Sequence, residues 1–117
     1  LDEAEQLALA TAGDRSFRGE SVGKALVLMG RIYREQAKKA SGEDKTELLT
    51  KAYGTYNRVF TAYKSTPEVS AEAGWQAYET LLEMDNTELA EETLKAVAED
   101  PKLKNTARAK QAAKFAK

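Results

Sequence analysis

The chain has 117 residues, 42% apolar and 32% charged, with a formal net charge of −1. That is about one ordinary domain, and no stretch approaches the roughly 20 apolar residues of a membrane span. Cysteine and histidine are absent, which removes thiol nucleophiles, the side chain that titrates near neutral pH and the commonest ligands of zinc, copper and haem, so no cofactor or metal is expected.

Twenty alanines against seven glycines and two prolines make a helix-forming composition. Apolar residues recur at three- and four-residue steps, broken at Gly, Asp, Asn, Thr and Pro, which predicts about six helices. The first covers roughly Asp2 to Ala12, with Leu7 and Leu9 its only large apolar side chains. The second, about Glu20 to Ala40, carries Val22, Ala25, Leu26, Met29, Ile32, Tyr33 and Ala37 as a band wide enough for contact on two sides. The third follows an Asp44-x-x-Glu47 capping-box signal and aligns Leu48, Leu49, Ala52, Tyr53, Tyr56, Val59, Phe60 and Tyr63 on one face. Thr66-Pro67 opens a fourth with Ala73, Trp75, Ala77, Tyr78, Leu81 and Leu82. A fifth runs from about Thr87 to Glu99 and stops before Pro101, and an alanine-rich sixth starts near Thr106. Short links between amphipathic helices imply antiparallel neighbours, hence an all-α string of helical hairpins.

The hairpins show signs of repetition. A shift of 38 places lays Ala52, Tyr56 and Val59 on Ala90, Leu94 and Val97. The segment Ala25-Leu26-x-x-Met29-Gly30-x-x-Tyr33 resembles the first-helix pattern of the tetratricopeptide family, and both shifted triplets resemble its second-helix pattern. The resemblance covers roughly residues 20 to 113 and implies an alpha-alpha superhelix of antiparallel hairpins in one domain, part of a longer array, in which Gly30 admits close helix approach beside Tyr33 and Tyr56. Two departures stand out. Extra residues between Tyr33 and Ala52 imply longer arms with a protruding Ser41-Gly42-Glu43-Asp44 turn, and around Trp75 either Ala77 or Tyr78 takes the small-residue place, depending on the direction of counting. The run Tyr-x-x-Val-Phe-x-x-Tyr before Thr-Pro is similar to irregular repeats of bacterial envelope proteins, which implies a periplasmic setting. Absent cysteine fits either redox compartment. The start at Leu1 rather than Met suggests a trimmed or excised segment, so the lack of a leader says nothing of residence.

Charge is blocked along the chain: net −4 over residues 1–14, +6 over 15–64, −9 over 66–100 and +6 over 101–117. Neighbouring hairpins can compensate one another, or the module is dipolar and recruits partners or its own copies. Lys24, Arg31, Arg34 and Lys38 fall on one helical stripe. First helices line the ligand groove of tetratricopeptide arrays, so the resemblance implies that Lys24, Val27, Arg31 and Arg34 face a partner, although Val27 and Leu28 stand where that family's carboxylate clamp is polar. Trp75 and Tyr78 are either core or binding aromatics, and Glu72 and Glu79 flank them.

Exposed carboxylate pairs such as Glu91-Glu92 lack the environment that tunes an acid–base pair, and no phosphate loop or nucleophile elbow occurs, so an enzyme is not expected. The basic stripe and tail suggest nucleic acid, but the −9 block opposes it. The expected role is protein or peptide binding in the groove of the second, fourth and sixth helices, with self-association through incomplete end units as the alternative.

Overall fold

The computed structural model describes residues 20–116, all helix and connecting turns. Its five helices are α1 (Glu20–Lys38), α2 (Gly42–Ala62), α3 (Pro67–Glu83), α4 (Thr87–Glu99) and α5 (Ala107–Phe115), the second to sixth of the predicted set. The predicted helix over Asp2–Ala12 lies outside the described residues. No described helix is long and apolar enough to cross a membrane.

Each helix packs on the next, and α3 also touches α1 and α5. Side-chain contacts give the directions. Gly23 meets Tyr63 and Gly30 meets Tyr56, so α1 and α2 are antiparallel. Arg34 reaches Gln76 and Glu83 while Gly23 meets Val69, and Glu72 meets Arg108 while Trp75 meets Phe115, so α1, α3 and α5 run parallel. The result is a slab of 39 × 38 × 16 Å with α1, α3 and α5 in one layer and α2 and α4 in the other. Nine of the 17 residues of α3 are buried, as its central place requires.

In the α1 band Val22, Leu26, Met29, Tyr33 and Ala37 are all buried. Both shifted triplets are buried as well, with Ala52, Tyr56, Val59, Ala90 and Val97 at 0% exposure. Close approach depends on glycine at two sites. A Cβ on Gly30 would lie 2.6 Å from the Tyr56 ring, and one on Gly74 would lie 2.5 Å from Val97 and 2.8 Å from Phe60. Gly74 thus repeats in the α3–α4 hairpin what Gly30 does in the first. Ala77 is fully buried and Tyr78 only partly so.

Two boundary expectations change. The α1–α2 link is Lys39–Ser41, not a protruding Ser41–Asp44 turn, because Gly42 takes φ +59° and starts α2 at once. Ser41 is then the N-cap, without a side-chain cap bond, and Glu43 and Asp44 fall in the first helical turn, where their charge suits the helix dipole. The capping box at Asp44 is therefore not used.

Other ends follow the sequence. Pro67 sits at the start of α3, and Asn86 and Thr106 cap α4 and α5 by accepting from Leu89 and Ala109 N–H groups. After α3, the Asp85 and Asn86 N–H groups bond Leu82 and Leu81 carbonyls, a Schellman closure with Asp85 at φ +59°. A non-glycine residue in that conformation costs about 1 kcal/mol. Asp85→Gly should therefore raise stability by about 0.5–1 kcal/mol in urea unfolding.

Candidate functional site

Two depressions cross the face made by α1, α3 and α5. One of about 320 Å³ is lined by Lys24, Val27, Glu68, Val69 and Glu72. The other, also about 320 Å³, is lined by Glu68, Glu72, Thr106, Ala107, Arg108 and Gln111. They share Glu68 and Glu72, and side by side the two depressions make up the trough of this face.

Its charges interlock. Arg108 grips Glu72 in a forked pair, Nε to Oε1 at 2.9 Å and Nη2 to Oε2 at 3.2 Å, and also donates to Gln111 at 2.9 Å. Gln76 donates to the same carboxylate at 2.7 Å. Burial works to raise the Glu72 pKa, but the Arg108 and Gln76 bonds outweigh it and hold the group below its ordinary 4.5. A depressed carboxylate contributes stability that is present above the unfolded value and lost as pH falls through the folded one. Thermal unfolding should therefore show a decline below pH 4.5 that Glu72→Gln flattens.

Farther along, Arg34 leaves α1 to donate to Gln76 and to Glu83, the latter at 3.0 Å from Nη2, with Glu79 at 4.0 Å. Burial opposes its charge, yet the bonds it donates to Glu83 and the charge of that carboxylate raise its pKa. Beneath it the Tyr56 hydroxyl is buried with no hydrogen-bond partner among the described residues, close enough to Arg34 for its charge to act on the phenol. On the opposite layer Lys64 bonds Asp100 at 2.8 Å and lies 3.6 Å from the Phe60 ring centre, which ties the end of α2 to the end of α4.

The candidate residues divide accordingly. Lys24 and Val27 line the trough. Arg31 is exposed on its rim, bordering a separate depression with Leu28 and Ile32, while its charge still acts on Glu72. Arg34 is bound to α3 and Lys38 to Glu35 at 3.1 Å, so the predicted cation stripe is not one continuous free surface. Glu72 is engaged with Arg108, and Glu79 sits beside Arg34. Trp75 is 5% exposed, edge-on to Phe115 at 5.6 Å, tilted on Tyr78 at 5.3 Å, with Arg108 5.3 Å from its ring centre. It is core, and Tyr78 covers its edge.

Sequence reasoning did not single out Glu68, Gln76, Gly74, Phe115 or Arg108, the last of which falls in the basic tail. The charge blocks did carry a signal. Glu72–Arg108, Arg34–Glu83 and Lys64–Asp100 each join a basic block to the acidic one. Comparisons of the chain with family models, curated protein sequences and solved structures give no match.

Proposed function

We propose that this chain is a tetratricopeptide-like scaffold, a superhelical stack of hairpins that binds a peptide or a partner helix and performs no catalysis. The observation that carries this reading is the pair of neighbouring depressions along the parallel helices α1, α3 and α5, which share Glu68 and Glu72. Its walls are fixed from within by Glu72–Arg108 and Arg34–Glu83, so the site is formed before a ligand arrives and little ordering is lost on binding. Glu68 lines both depressions, is exposed and forms no ion pair among the described residues, while Arg31 is exposed beside a separate depression and acts on Glu72 through its charge. Trp75 is buried and lines neither depression.

The test is selection from a random peptide library on the immobilised chain, followed by amide-shift mapping with a selected peptide. Shifts should cluster at Lys24, Val27, Glu68, Glu72 and Arg108, and Arg31→Glu or Glu68→Lys should weaken the complex at least tenfold. Shifts confined to α2 and α4 would refute the groove. Self-association is the second reading, favoured by exposed Leu28 on α1 and Phe115 on α5. Both α1 and α5 are cationic on balance. If self-association is real, light scattering should show the assembly strengthening as salt screens that repulsion.

A further inference from the structure

Gln76 lies half-buried on α3 between two ion pairs that reach it from opposite sides. Its Oε1 accepts from Nη1 of Arg34 on α1. Its Nε2 donates at 2.7 Å to Oε2 of Glu72, the oxygen that Nη2 of Arg108 on α5 also meets. Hydrogen bonds thus run unbroken from Glu83 through Arg34, Gln76, Glu72 and Arg108 to Gln111.

Only one orientation of the amide closes that line. Turned over, it would set its NH2 against a guanidinium that can only donate and its carbonyl against a carboxylate that can only accept. Glutamate in this place would supply acceptors alone, and lysine donors alone. Arg34 therefore fixes the donor that Glu72 receives, and by drawing charge toward Oε1 it makes Nε2–H the stronger donor.

We propose that Gln76 is a positioning residue that couples the α1 and α5 walls of the trough: through its amide, a change at Arg34 alters Glu72 and the grip of Arg108 on it. The coupling belongs to the free protein and does not depend on what the trough binds.

The readout is the ionisation of Glu72, followed by side-chain carboxyl NMR on the full chain. Besides Gln76 and Arg108, its surroundings hold Arg31 and Lys24 of α1 and Glu68 of α3, all kept unchanged. Arg34→Met should lower the acid constant of Glu72 about twofold, and in a Gln76→Met background the same substitution should change it far less. The direct pull of the Arg34 charge is present in both backgrounds, so the difference reads the amide alone. Gln76→Glu is the second variant. It still accepts from Arg34 but turns a carboxylate on Glu72, whose acid constant should fall further than with Gln76→Met. Urea unfolding gives the other arm. Arg34→Met and Arg108→Met together should cost less than the two separately, by about threefold in the unfolding constant, and should be additive in the Gln76→Met background. Direct repulsion between the two arginines would give the opposite sign. An Arg34 effect on Glu72 of equal size in both backgrounds would overturn the proposal, and so would additivity with Gln76 in place.

Discussion

Gly74→Ala should destabilise the protein by about 2 kcal/mol, and Gly54→Ala should stabilise it by about 0.5–1 kcal/mol. Both glycines lie inside helices, so alanine gains about 1 kcal/mol of helix propensity at each. At Gly54 nothing lies within 4 Å of the added methyl, and the gain stands. At Gly74 the methyl would lie 2.5 Å from Val97 and 2.8 Å from Phe60, on two different helices, both buried. Neither neighbour has open space to move into, and overpacking of this kind costs about 1–3 kcal/mol. Thermal unfolding should show the melting temperature of Gly74→Ala lower by about 8–16 °C. Val97→Ala removes the nearer obstacle, so in a double-mutant cycle the pair should lose clearly less than the two single costs combined. Strict additivity would mean that the α3–α4 crossing is looser than the distances state.

Tyr56→Phe should leave stability at neutral pH unchanged or higher by up to about 1 kcal/mol, whereas Tyr56→Ala should cost about 3–5 kcal/mol. The ring is fully buried against Gly30, so its removal opens a cavity. The hydroxyl has no hydrogen-bond partner among the described residues, and its loss removes an unmet desolvation cost. Burial pushes the phenol up to about 12, only partly opposed by the Arg34 and Arg31 charges. A group whose pKa is raised on folding contributes stability that is complete below its unfolded value and lost as pH rises through the folded one. Between pH 10 and about 12 the wild type should therefore lose about 2–3 kcal/mol relative to Tyr56→Phe. Denaturant unfolding of both proteins across that range isolates the phenol from the lysines they share. Parallel curves would show that the hydroxyl reaches solvent.

Helices were legible wherever apolar spacing and an end signal agreed. Thr66-Pro67, Asn86, Asp100-Pro101 and Thr106 mark real ends, because proline geometry and side-chain capping act over four residues or fewer. The boundary before α2 was misread for the same reason in reverse: Asp44 suits a cap and a first turn equally, and only the backbone angle of Gly42 separates the two. The candidate site was legible in part. Helical periodicity places Lys24, Val27 and Arg31 on one side of α1, but whether a long cation reaches a ligand or an acid on the next helix depends on what stands opposite. Arg34 meets Glu83 from 49 residues away, and Glu72 meets Arg108 from 36 away.

The amino-acid order by itself determined a helical protein with five describable helices, their buried stripes and most of their ends, since these depend on neighbours three or four places apart. Tertiary structure alone decided that Trp75 is core, that Arg34 and Glu72 are tied within the protein while Arg31 is not, and that Gly74 is a crossing point. Those outcomes rest on helix register, in which a shift of one residue turns a side chain by about 100° from a neighbour's surface to solvent.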